Sequence, residues 1–170
     1  KCIPMLKRED IRKEITPFTN EALDIDGSLF LYHEVPTNGI GYLDLMFDLS
    51  DVPEKDLPMV GLLQTVLGII DTEHYEYGEL FNEINRHTRG IGTSLELYPD
   101  VTKVKEKEFK ATFEIKGKAL YGQIPFAIRM MKEILTASKL DDEKRLKMAE
   151  RIALRVERDS GEKVRITSFR

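Results

Sequence analysis

The chain has 170 residues, 41% of them apolar and 33% charged, with a net charge of −4 at pH 7; this is enough length for one domain with a self-supporting core. A single cysteine, Cys2, excludes an intrachain disulfide and suits a reducing compartment, and no apolar run reaches the roughly 18–20 residues that span a bilayer. Charge is unevenly placed, with fifteen acids and one base (Lys55) from Glu14 to Asn85, then twenty bases and thirteen acids from Arg86 onward; the two halves either face each other in the fold or mark a binding surface.

REDIRKEI (8–15) predicts a short helix, and ITPFTNEALDIDG reads as an irregular lead-in broken at Pro17. SLFLYHEV (28–35) and IGYLDLMFDLS (40–50) read as strands. In the second, Leu43, Leu45, Phe47 and Leu49 alternate with Tyr42, Asp44, Met46 and Asp48, the period of a half-buried strand. Between them lies PTNG, and Asn38-Gly39 tolerates the positive φ of a tight hairpin. A two-residue loop there would set Phe30 opposite Phe47, Tyr32 opposite Leu45 and His33 opposite Asp44.

Ser50 or Asp51 is expected to cap a helix over about 53–69, with Pro53 in its first turn. From Met59 onward that helix is apolar nearly all round, which places it between the sheet and other helices. A second helix, 76–88, has the stripe Tyr77, Leu80, Phe81, Ile84 and stops at Gly90. IGTSLELY (91–98) and KEFKATFEIKGK (107–118) predict another strand pair, wet on the side of Lys110, Thr112, Glu114 and Lys116. Helices over 122–137 and 141–160 close the chain. The order β-β-α-α-β-β-α-α argues for an α+β domain, an antiparallel sheet with helices packed on one face.

Chemistry is sparse. The histidines are His33, His74 and His87, and neither HExxH nor HxxEH occurs. Glu79, Glu83 and His87 stand at i, i+4, i+8 on one helix face; a metal could use two of them, but a solvated face with His near the helix C-terminus needs no metal. His33 and Asp44 could form an acid–base pair, yet no nucleophile neighbours them. Nucleotide-binding glycine motifs are missing. In the last helix bases alternate with Glu143, Glu150, Glu157 and Asp159, so a solvated face is expected there rather than a nucleic-acid contact, and with no spanning apolar run no membrane partner is expected either.

Longer phrases carry more. TNGIGYLDLMFDLSDVP, LPMVGLLQTVLGIIDTEHYEYGELFNEINRHTRGI, KALYG and DDEKRLK, with the lead-in IPMLKREDIRKEI, strongly resemble the presequence-protease group of zinc metallopeptidases, relatives of insulin-degrading enzyme and pitrilysin. The resemblance implies a clamshell of two homologous halves, each of two α+β domains of the insulinase type, joined by a helical hairpin around a peptide-sized chamber. It places this chain at the third domain, in the non-catalytic half: 1–27 as lead-in from the hairpin, 28–170 as one domain cut short at its C-terminus, the whole a piece of a longer protein. Zinc would then belong to the catalytic half, and the HxxEH positions would fall on Val60, Leu63 and Gln64. Val and Leu cannot bind zinc, so the fragment itself is expected to carry no cofactor and no catalytic residue. Gln64 would be a satisfied buried amide or a polar tip at the chamber wall. Asp44, Asp48, Glu79 and Glu83 would face basic, unfolded peptides. The resemblance also implies that the other domains of the same chain are partners, that exposed apolar surface could make the fragment self-associate, and that the setting is cytoplasmic or an organellar matrix. A stand-alone scaffold subunit of the same fold is the alternative.

Overall fold

The computed structural model describes residues 5, 7–11, 13–14, 19–100, 102–103, 108–141, 143 and 146–147. The chain divides into two compact units, Lys1–Asn38 and Gly39–Arg170.

In the first unit the described residues of the helix expected over 8–15 form a 3-10 turn at Arg8–Asp10, where the Asp10 carboxylate accepts the Lys7 N–H at 2.8 Å. Strands β1 (Asn20–Ile25) and β2 (Ser28–His33) then form an antiparallel hairpin. Asp26 and Gly27 join them, both at positive φ (53° and 81°). That is the two-residue turn whose twist suits a hairpin.

This pairing corrects the expected hairpin between 28–35 and 40–50. Asn38 and Gly39 do adopt positive φ (53° and 84°), as their types allow. They nevertheless lead into a strand with a different partner. β3 (Ile40–Asp48) pairs with β5 (Phe109–Leu120), and β5 pairs with β4 (Ile91–Pro99), giving the order β3-β5-β4, antiparallel throughout. Phe47 therefore faces Phe113, Leu45 faces Ile115, and Asp44 faces Lys116. Phe30 faces Leu23 and Tyr32 faces Glu21. Two turns of equal local quality, Asp-Gly and Asn-Gly, compete; the longer apolar match between β3 and β5 decides which one closes a hairpin.

Helix α1 (Leu57–Val66) follows a 3-10 turn at Glu54–Asp56. It is shorter at both ends than the expected 53–69. Ser50 is engaged by the Asp48 carboxylate instead of capping the helix. At the far end the Leu67 N–H closes on the Leu63 carbonyl at 3.0 Å, and Gly68 turns the chain away at φ +83°. Helices α2 (Tyr77–His87) and α3 (Ile124–Thr136) match expectation to within two residues. Three strands thus precede the helix pair, so the described order is β-β-β-α-α-β-β-α rather than β-β-α-α-β-β-α-α. The helix expected over 141–160 lies mostly outside the described residues. Leu146, which is described, packs with Val66 and Ile70.

The fold is α+β. Odd-numbered side chains of β5, Phe113 and Ile115, are buried under Leu67, Leu80, Ile84, Met130, Met131 and Ile134. Each fully buried aliphatic side chain contributes about 1.5–3 kcal/mol of transfer free energy. The three helices therefore lie over one face of the three-stranded sheet. Its other face carries Tyr42, Asp44, Met46 and Asp48 from β3, the even-numbered residues of β5, and Ser94, Glu96 and Tyr98 from β4.

Candidate functional site

α1 rests against β4 on the helical side of the sheet. Val60 and Leu63 are partly buried and pack against the main core, while Val66, 1% exposed, pairs with Ile70 in a smaller cluster. Gln64 is also partly buried, and its side-chain amide donates to the Thr93 carbonyl at 3.3 Å. Thr93 returns the contact, its hydroxyl donating to the Gln64 carbonyl at 2.8 Å. The Gln64 side chain and backbone are thus both bonded to Thr93 of β4. A zinc ion needs about three donors from His, Cys, Asp or Glu. The set Val60, Leu63, Gln64 does not fit that requirement, because its one polar group is a neutral amide already engaged. Among the described residues no three His, Cys, Asp or Glu side chains group as metal ligands would.

The densest polar chemistry lies on the opposite face. Glu114 is fully buried at the middle of the central strand, although alternation puts it on the wet side. Tyr98 donates its hydroxyl to Glu114 Oε1 at 2.7 Å, Thr112 donates to the same oxygen at 2.6 Å, and Lys116 Nζ stands 2.5 Å from Oε2. Lys116 also reaches Glu96 at 3.3 Å and Asp44 at 3.8 Å. Burial pushes the Glu114 carboxyl up, but the hydrogen bonds from Lys116, Thr112 and Tyr98 outweigh it and hold the group below its ordinary value. Asp44 goes the other way: burial first, then the charge of Glu114, raise it against the pull of Lys116. The Lys116 ammonium is raised mainly by its bond to Glu114. Tyr98 is raised by donating to the same carboxylate.

The expected acidic residues are not gathered into one wall. Asp44 and Asp48 share the outer face of β3, where Ser50 hydrogen bonds hold the Asp48 carboxyl below its ordinary value. Glu79 and Glu83 sit on α2, whose Leu80 and Ile84 face the core on the helical side. Glu83 pairs with Arg86 at 2.6 Å and with His87 at 3.6 Å. The His87 ring also lies 4.6 Å from that of Phe126. His33 is not opposite Asp44: its Nδ1 is 2.6 Å from Asn20 Oδ1 across the β1–β2 hairpin. His74 meets Glu133 of α3, Nδ1 lying 3.0 Å from Oε2. Sequence reasoning missed Glu114, Lys116, Glu96 and Tyr98 as a group. The alternation of KATFEIKGK marked the face, but nothing local shows that a neighbouring strand will bury one carboxylate there.

Several relatives align with most of this chain. A protein named HypA from Clostridium perfringens is 40% identical over 144 residues, 85% of this chain and 15% of its own length. Presequence protease 1 of Arabidopsis thaliana, chloroplastic/mitochondrial, is 30% identical over 148 residues, 86% of this chain and 13% of its own. The mitochondrial presequence protease of Drosophila melanogaster is 29% identical over 115 residues, 68% of this chain and 11% of its own. The chain thus spans about a seventh or less of each of these proteins. The family of peptidase-associated domains described for subfamily C of the M-16 peptidases matches residues 1–154, and the chain belongs to that family.

Proposed function

We propose that the chain is a non-catalytic wall module of a large zinc metalloendopeptidase that degrades unfolded peptides. The observation that carries this reading is α1: a helix whose Val60 and Leu63 pack into core and whose Gln64 amide is bonded to β4. Buried imidazoles and a carboxylate without a metal would cost desolvation free energy, whereas hydrocarbon gains by burial. A helix that binds zinc in a sister repeat is here rebuilt as packing. Zinc belongs to the catalytic half of the parent chain, and the partners of this module are the parent's other domains and its peptide substrates. On this reading the setting is that of such proteases, a cytoplasm or an organellar matrix.

The acidic outer face of β3, with Asp44 and Asp48, favours basic peptides by a weak attraction that salt screens. The test uses the full-length parent with Asp44 and Asp48 neutralised. Reduced preference for basic over neutral peptides is expected, and unchanged preference removes the acidic-wall role. Reading the parent gene tests the larger claim: an HxxEH upstream in the same reading frame is expected. Its absence would favour a stand-alone scaffold subunit.

A further inference from the structure

On the outer face of the sheet, Lys116 supplies one ammonium to three carboxylates, and each comes from a different strand: Glu114 of β5 at 2.5 Å, Glu96 of β4 at 3.3 Å and Asp44 of β3 at 3.8 Å. The three carboxylates are not equivalent. Glu114 is fully buried and also takes hydrogen bonds from Tyr98 and Thr112. Asp44 holds the longest of the three contacts and faces two like charges. Among the described strand residues, the remaining charged groups of this face are Asp48, Lys110 and Lys118, and its other titratable groups are Tyr42 and Tyr98. Asp48 is engaged by Ser50. The three helices pack on the other side.

We infer that this cluster is a pH-graded clasp across three strands, in which Asp44 is the surplus charge that loosens edge strand β3 at neutral pH and Glu114 is the paired charge that holds β4 to β5. The two carboxyls then respond to acid in opposite senses. Asp44 is raised above its ordinary 3.8. Its contribution to stability is present below that ordinary value and is lost as pH rises through the folded one. Glu114 is lowered from its ordinary 4.5. Its contribution is present above the ordinary value and is lost as pH falls through the folded one. Acidifying from neutrality should first tighten β3 and only later release Lys116 and Tyr98.

The test is amide hydrogen exchange of the 170-residue chain from about pH 7.5 to about pH 3, so that both linkage windows are crossed, expressed as protection factors so that the intrinsic pH dependence of exchange is removed. Protection of the β3–β5 amides should rise several-fold as pH falls through the raised Asp44 value and fall again below about 4.5, where Glu114 begins to take up its proton. Asp44→Asn should raise that protection at neutral pH and abolish the rising limb. Glu114→Gln should lower protection at neutral pH by on the order of tenfold, since a charge-assisted bond becomes a neutral one. Lys116→Met, which strands all three carboxylates, should lower it further. Equal losses in Asp44→Asn and Glu114→Gln would overturn the proposal, because they would make Asp44 a simple ion-pair partner. Should Glu114→Gln or Lys116→Met not fold, Asp44→Asn decides alone: gain supports the clasp and loss refutes it.

Discussion

Replacing Leu63 by glutamate gives α1 the residue type that the proposed correspondence with a zinc-binding helix puts at that position. Leu63 is partly buried and packs against the cluster containing Leu67, Leu80 and Phe113. Full burial of a leucine is worth about 1.5–3 kcal/mol, so a half-buried one forfeits about 1–2 kcal/mol. The carboxylate adds a desolvation cost, and α1 itself, Leu57–Val66, has no charged residue to offset it. Partial access to water limits that cost to about 1–2 kcal/mol, for a total of about 2–4 kcal/mol. In a chain of this size each kcal/mol lowers Tm by about 2–4 °C. Urea unfolding followed by far-ultraviolet circular dichroism and tyrosine fluorescence suits the chain, which has six tyrosines and no tryptophan. A matching Leu63→Met control should stay within about 1.5 kcal/mol of the parent, since it conserves volume and polarity. A Leu63→Glu variant as stable as the control would refute the reasoning, because the position would then open on water rather than on core.

Ile115, fully buried at the centre of β5, should lose about 2–5 kcal/mol on truncation to alanine, read from the urea midpoint at constant slope. Gly68→Ala places a Cβ at φ +83° and should cost about 1–2 kcal/mol, whereas alanine at Gly61, inside α1 with open space around its Cα, should gain about 0.5–1 kcal/mol. Glu133 is pushed up by burial, but bonds from Thr72 and His74 hold it below its ordinary 4.5. Its contribution is therefore complete above that value and lost as pH falls through the folded one, so Glu133→Gln should flatten that part of the acid limb in urea titrations.

How far the sequence reaches is shown by particular elements. α2 and α3 are legible because apolar residues recur at 3.6-residue spacing between clear stop signals, and β5 because KATFEIKGK alternates. The β1–β2 hairpin is not, because NEALDI resembles a loop in composition and the Asn38-Gly39 signal downstream is as strong as Asp26-Gly27. Strand partners are fixed by which apolar rows fit across distance, as Phe47 fits Phe113, and that information is not local. α1 is legible as dry but not in its length, since Gly68 turns the chain before the apolar run ends. At the outer face the sequence shows which residues point outward and conceals their burial. Glu114 reads as one more wet position, yet Tyr98, Thr112 and Lys116 enclose it.

The role of α1 is tested most directly by counting zinc in the purified full-length parent before and after Gln64→Ala. The expectation is one zinc per chain, unchanged by the substitution, with peptide cleavage retained. Two zinc ions per chain, one of them lost with Gln64→Ala, would mean that this helix still holds metal, and the account of it as packing would be wrong.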